Sequence, residues 1–378
     1  MSRGSVSYIN PRTGAKWSVD YPIWCAPDDK GYVNLTSGGG LSRSDIMSNA
    51  PGLWRYRAAL RLKGDPYQSL GEGWTPLVSS DWEGVPVMMK CEHLMPSGSF
   101  KDRGTVVLFN YLRQHGVKEI LEDSSGNAGS SYATYAAAFG LDCRILVPTA
   151  APAGKKAQIA TMGARLEPVE GTREDVAAAA RKAAETVFYA SHNWQPYFIE
   201  GTKTLAFEVW EQSGFKAPDN IVVPLGYGSN VIGLYIGFCE LLVAGELDRL
   251  PRIFAAQAAN CAAFYAAWEG DGARVEIDPK PTIADGIASE RPVRMSEVMA
   301  SVKLTGGAIV AVEEEEIMAA FCALARRGFF VEPTSATAAA VLTRLISDGM
   351  VSTGDTTVMV LTGHGLKAVD KIAARLGR

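Results

Sequence analysis

Short apolar or β-branched runs alternate with longer stretches of helical periodicity from about residue 53 onward. Val85 to Lys90 reads as a strand, Phe100 to His115 as a helix and Glu119 to Glu122 as a strand. Asn127 to Phe139 is small and helical and stops at Gly140, a residue suited to a helix C-terminus. The spacing then predicts strands at 143–147, 165–169, 187–190, 221–224, 252–256, 308–312 and 357–361. Helices are predicted at 152–162, 173–186, 204–212, 229–242, 313–326 and 336–346. Strands that alternate with helices argue for an α/β fold with mainly parallel sheets. Ile221-Val222-Val223 and Val358-Met359-Val360-Leu361 are the unbroken apolar runs that doubly covered parallel strands require. The first 50 or so residues differ. They are rich in Gly, Ser, Pro and Asp, and Gly38-Gly39-Gly40 marks a turn. No internal repeat or low-complexity tract is present. Glu313 to Glu316 is a charge run whose place in a first helical turn complements the helix dipole.

Composition narrows the function classes. Of 378 residues, 47% are apolar and 21% charged, the balance of an ordinary folded protein. A net charge of −4 offers no broad attraction for nucleic acid. No apolar run approaches the ~20 residues of a membrane helix. The opening Met1-Ser2-Arg3-Gly4-Ser5 is not followed by a signal-peptide core, so a cytoplasmic location is expected. The cysteines Cys25, Cys91, Cys143, Cys239, Cys261 and Cys322 form no C-x-x-C pair. The four histidines have no i, i+4 partners. No metal site is expected.

Four segments carry chemistry. In Pro96-Ser97-Gly98-Ser99-Phe100-Lys101-Asp102-Arg103-Gly104 a lysine opens a helix. Partial burial and the positive helix end both favour its neutral, nucleophilic form. Asp123-Ser124-Ser125-Gly126-Asn127-Ala128-Gly129-Ser130 joins a strand to a helix, where backbone N–H groups receive anions and small residues admit a ligand. By itself it is equally an ordinary strand-to-helix turn. Leu225-Gly226-Tyr227-Gly228-Ser229-Asn230 is a weak phosphate-loop signal that lacks a P-loop ending. Leu361-Thr362-Gly363-His364-Gly365 follows the last strand; Thr362 offers a hydroxyl, and His364 reads as structural.

Taken together and in order, these segments resemble the threonine synthase family, within the tryptophan synthase β group of pyridoxal 5′-phosphate (PLP) enzymes. The likeness extends to Leu53-Trp54-Arg55-Tyr56-Arg57, Gly71-Glu72-Gly73-Trp74-Thr75-Pro76-Leu77, Thr204-Leu205-Ala206-Phe207-Glu208 and Asp285-Gly286-Ile287. It implies PLP fold type II: two α/β domains with mainly parallel sheets and the cofactor in the cleft between them. Residues 53–105 and 203–378 would form the large PLP-binding domain, residues 106–202 a small mobile one, and residues 1–52 an irregular lobe. Lys101 would hold the cofactor as a Schiff base and move protons, with Phe100 beside it. Asn127 would bond the PLP hydroxyl, Gly226, Tyr227, Gly228, Ser229 and Asn230 would cradle its phosphate, and Thr362 would meet its ring nitrogen. Ser124, Ser125, Asn127 and Ala128 would take the substrate carboxylate. A homodimer acting on a small amino acid is implied, with conversion of O-phosphohomoserine to threonine and phosphate as the leading activity.

Three departures qualify the likeness. Asn10-Pro11-Arg12-Thr13-Gly14 stands where a Cys-x-x-Cys-Gly-like start is common, which implies a degenerate, metal-free lobe. Tyr227 adds bulk to the phosphate loop. Phe198, in His192-Asn193-Trp194-Gln195-Pro196-Tyr197-Phe198, stands where an Arg would bind the substrate phosphate. A ring cannot replace that contact. Either His192, Asn193 and Arg173 compensate, or the substrate has no phosphate and an enzyme of β-elimination or β-replacement results. A non-catalytic PLP or amino-acid binding protein is the alternative of another class.

Overall fold

The alternation is realised in a computed structural model that describes residues 6–64, 67–149, 153–270, 272 and 275–377. Met1 to Ser5 and Pro152 lie outside the described residues. Along the chain the strands are β1 (Ser7–Ile9), β2 (Lys16–Ser18), β3 (Asn34–Leu35), β4 (Leu77–Trp82), β5 (Val85–Lys90), β6 (Glu119–Glu122), β7 (Asp142–Pro148), β8 (Arg165–Val169), β9 (Phe188–Tyr189), β10 (Asn220–Pro224), β11 (Arg252–Ala258), β12 (Ala308–Val312) and β13 (Thr357–Val360). The helices are α1 (Lys101–Gln114), α2 (Asn127–Phe139), α3 (Ala153–Thr161), α4 (Arg173–Ala183), α5 (Pro196–Thr202), α6 (Thr204–Gln212), α7 (Ser229–Val243), α8 (Ala263–Glu269), α9 (Met295–Leu304), α10 (Glu314–Arg326), α11 (Pro333–Ser347) and α12 (Val369–Arg375).

Two α/β layers result. The larger sheet has the order β12-β11-β10-β13-β5-β4 and draws on both ends of the chain. All its pairings are parallel except β4 with β5. One face packs on α6, α7 and α9 around Phe207, Leu234 and Val298, and the other on α10 and α11 around Phe321, Val341 and Leu342. β10 and β13 are buried at every position, which explains their continuous apolar character. The smaller sheet, β8-β7-β6-β9, is wholly parallel and lies within residues 119–189. α1, α2 and α5 pack beside it around Phe109, Tyr132 and Phe198.

The N-terminal strands form a small antiparallel sheet, β2-β1-β3. Polar contacts tie its loops together. The Arg12 guanidinium donates to Asp29 at 2.6 Å, and Asn10 and Thr13 donate to Asp28 at 2.9 and 2.7 Å. Among the described residues no group of three or more His, Cys, Asp or Glu side chains is placed to hold a metal. No described helix is long and apolar enough to cross a membrane.

Candidate active site

Lys101 is the first residue of α1, and its two neighbours are locked in place. The Asp102 carboxylate accepts from the Ser97 N–H at 2.7 Å and the Ser131 hydroxyl at 2.6 Å. Burial still pushes Asp102 up to about 6. Arg103 is fully buried and donates to Glu92 at 2.6 Å and to Glu208 at 2.7 Å. Lys90 joins Glu208 in the same network. Two cations thus meet two carboxylates where an unpaired charge would be costly. The Phe100 N–H donates to the Thr362 carbonyl at 3.0 Å, which ties the lysine turn to the end of β13.

The Lys101 amine faces a cavity of about 180 Å³. It stands 4.8 Å from the centre of the Phe100 ring and 5.7 Å from that of Phe198. Burial pushes its pKa down to about 8, opposed by the Glu122 carboxylate. A lysine in that state carries a usable share of neutral amine near neutral pH, as a nucleophile requires.

Two helix N-termini border the same cavity. Ser124, Ser125, Gly126, Asn127 and Ala128 bring the start of α2, and Gly226, Tyr227, Gly228, Ser229 and Asn230 the start of α7. At both, backbone N–H groups without helical partners suit an anion. Gly228 adopts φ +94°, and a Cβ there would collide with Val298 Cγ2. The loop therefore needs glycine for its conformation and for space. Both amide atoms of Asn230 are buried without a hydrogen-bond partner among the described residues. Buried polar atoms are normally satisfied, so this pair marks a place for a polar ligand. An amine, an anion cradle and unsatisfied amide atoms around one cavity fit a phosphorylated aldehyde.

The sequence-predicted residues do not all converge. Phe100, Lys101, Ser124, Ser125, Asn127, Ala128, His192, Gly226, Tyr227, Gly228, Ser229, Asn230 and Thr362 line the cavity, and Arg173 joins them. Asn193 and Phe198 do not. The Asn193 backbone carbonyl accepts from Arg294 Nε at 3.1 Å. Phe198 is fully buried behind Lys101, where its ring fills the space a Cβ on Gly104 would need. Tyr227 projects toward the smaller layer; its ring lies 6.0 Å from that of His192. Its bulk thus spans the cleft. His364 takes the structural role expected of it, accepting the Leu366 N–H at 3.2 Å.

Several site residues escaped the sequence. Glu332 accepts from the Asn127 amide at 2.8 Å. The Ser335 hydroxyl is 3.0 Å from that of Thr362, so Thr362 is fixed from α11. Glu122 ends β6 fully buried and lies 2.9 Å from His192 Nδ1. Arg173, itself a candidate from the sequence, donates to Asp123 at 2.9 Å. That carboxylate and Tyr227 hold Arg173 above its ordinary pKa, although burial works against the charge. Nothing in the strand Glu119-Ile120-Leu121-Glu122 sets its last carboxylate apart from its first except burial. Beyond this cavity lies a second of about 400 Å³, which shares Gly126, Asn127, Asp285 and Gly286 with it.

An α/β cleft with a desolvated lysine between two anion-binding helix starts defines a class: enzymes that capture a phosphorylated carbonyl cofactor through an amine. The comparisons agree. Residues 68–363 match the model of the pyridoxal-phosphate dependent enzyme family, and the chain belongs to that family. Its cofactor is PLP and its fold is type II. The threonine synthase of Methanosarcina acetivorans is 32% identical over 366 residues, 94% of this chain and 90% of that protein. That of Mycobacterium tuberculosis is 36% identical over 310 residues, 80% and 84% of the two chains. Among solved structures, threonine deaminase isoform 2 from Solanum lycopersicum superposes with a TM-score of 0.68 at 21% identity, over 80% of this chain and 88% of that one. Maize serine racemase does so with 0.65 at 20%, over 80% and 94%. These two likenesses concern the fold.

Proposed function

We propose that the chain is a lyase that removes a leaving group from the side chain of a small amino acid, with Lys101 as the catalytic base. The observation that carries this reading is the Lys101 amine, desolvated in a cleft between two anion cradles. PLP, when bound, supplies the electron sink that acidifies the substrate's α C–H. Gly226, Tyr227, Gly228, Ser229 and Asn230 hold its phosphate, Asn127 its ring hydroxyl and Thr362 its ring nitrogen. Thr362 is neutral and leaves that nitrogen without the charge an acidic partner would favour. Ser124, Ser125, Asn127 and Ala128 hold the substrate carboxylate at the start of α2. A substrate held there would present its α proton toward Lys101 Nζ. Residues 106–202 act as a small domain that closes on substrate and excludes water. A cytoplasmic homodimer completes the proposal, symmetric pairs being the commonest assembly.

The substrate is read from two observations. Identity to threonine synthases supports a threonine synthase-like reaction on O-phosphohomoserine. The cavity favours a side chain without phosphate. Phe198 is packed out of reach, and Arg173 is already neutralised by Asp123. A dianion there would be left short of partners at a cost of several kcal/mol. Hydroxy amino acids fit better. Product assay decides: phosphohomoserine should give little threonine and phosphate, and serine or threonine should give a keto acid and ammonia. Efficient threonine formation would reverse the choice of substrate.

A further inference from the structure

Lys101 accounts for the α proton but not for the leaving group. A phosphate departs as a stable anion. A hydroxyl departs as water and needs a proton from an acid. Lys101 cannot donate that proton while it is taking the one from Cα.

A second acid–base pair borders the cavity. His192 lines it, and Nδ1 is 2.9 Å from Glu122 Oε1. The His192 N–H donates to the other Glu122 oxygen at 3.2 Å, so carboxylate and imidazole are fixed together. No described residue bonds the remaining ring nitrogen, Nε2. Every neighbour bears on this pair. Lys101 of α1, Arg173 of α4 and Asp123 at the end of β6 are its charged neighbours, and Tyr132 of α2, Cys143 of β7 and Tyr189 of β9 are the neutral titratable groups beside Glu122. The Phe198 ring of α5 and the Tyr227 ring ahead of α7 stand 5.7 and 6.0 Å from the imidazole. Burial pushes Glu122 up to about 7, against Arg173. Burial and then Lys101 push His192 well below its ordinary value. The pair therefore holds one exchangeable proton near neutral pH, and the carboxylate orients the ring as a positioning group does.

We propose that His192, positioned by Glu122, is the acid that protonates the departing side-chain oxygen of a hydroxy amino acid. This rests on the reading of the cleft as a lyase site. Lys101 Nζ takes the proton from Cα. The C–O bond breaks and its electron pair stays with oxygen. Nε2–H gives its proton to that oxygen while the Glu122 proton moves to Nδ1, so the hydroxyl leaves as water; Lys101 then holds the Cα proton, Glu122 is ionised, and return of that proton to Glu122 resets the pair. Nothing is oxidised or reduced.

The test compares L-serine and L-threonine with β-chloro-L-alanine, whose chloride leaves without a proton. His192→Asn and Glu122→Gln should lose ~100-fold or more in kcat on the hydroxy substrates. On β-chloroalanine they should lose far less, so the ratio of the two activities moves by at least ~30-fold. His192→Gln provides a second variant if the first does not fold. In protein with ring-labelled histidine and no substrate, ¹⁵N NMR should show the His192 tautomer change near neutral pH, and Glu122→Gln should abolish that change. Equal losses on both substrate types, or a tautomer indifferent to Glu122, would overturn the proposal. So would wild-type turnover of chloroalanine alone. Wild-type turnover of neither substrate would instead remove the lyase reading beneath it.

Discussion

The Asn127 amide donates to Glu332 Oε2 across 2.8 Å, which joins the first residue of α2 to the residue just ahead of α11. The two layers are therefore linked by a side chain that also lines the cavity. Glu332 sets the direction in which the amide points. Glu332→Ala should weaken PLP binding about tenfold, the loss of one charge-assisted bond, with little change in Tm. Fluorescence titration of the cofactor and thermal unfolding measure the two effects. Unchanged affinity would mean that Asn127 is held by other contacts.

Lys101 is costly to the empty fold. Unfolded, its amine titrates near the ordinary lysine value; folded, near 8. Below about pH 8 both states carry the proton, and the folded state bears the whole penalty. From there to the ordinary value the unfolded chain keeps the proton and the folded chain does not, so stability rises with pH. Lys101→Met should therefore be more stable than the cofactor-free wild type at pH 7, by roughly 1–3 kcal/mol, and the gap should shrink toward pH 10. Urea unfolding across that range shows it, and a gap that stays constant or widens would contradict the burial argument.

Gly228 is the position in the anion loop that tolerates least. Its φ is +94°, and Val298 Cγ2 occupies the space that a Cβ would take. Gly228→Ala should cost roughly 1–3 kcal/mol of stability and weaken cofactor binding as well. Unfolding and PLP titration on the same variant are the checks. A tolerated alanine would show that the loop has room it is not seen to have.

Phe198→Arg separates a lost phosphate contact from a packing role. The ring is fully buried against Gly104 and Lys101, so a guanidinium would be desolvated beside another amine. The variant should unfold more easily, by on the order of 3 kcal/mol, and should not gain activity on phosphohomoserine. Improved phosphohomoserine turnover with unchanged Tm would show that position 198 does reach the substrate.

Much of this architecture was legible because each part is local. Strand β12 and helices α2 and α6 fall on the expected residues, since a parallel strand packed between helices leaves an unbroken apolar run and the helices keep their period. β4 was not legible: at the sheet edge its Ser79, Ser80 and Asp81 break any apolar pattern. Neither was α5, seven residues long and buried throughout. The site divides in the same way. Lys101 and the two anion loops are contiguous and announce themselves. The pairs that refine them are not, since Asn127 and Glu332 lie 205 residues apart, His192 and Glu122 70, and Arg173 and Asp123 50. Parallel pairing within the smaller sheet brings the last two together, and only Asn127 with Glu332 spans both layers. Phe198 lies beside Lys101 and His192, 5.7 Å from each, a proximity that its sequence position alone does not give.

The claim on which the rest depends is that Lys101 is the cofactor lysine. Borohydride reduction of the PLP-loaded enzyme, followed by proteolysis and mass spectrometry, tests it most directly. The account predicts a phosphopyridoxyl group on the peptide containing Lys101, and none anywhere in Lys101→Ala. A label carried instead by Lys203, Lys367 or any other lysine of the wild type would contradict it.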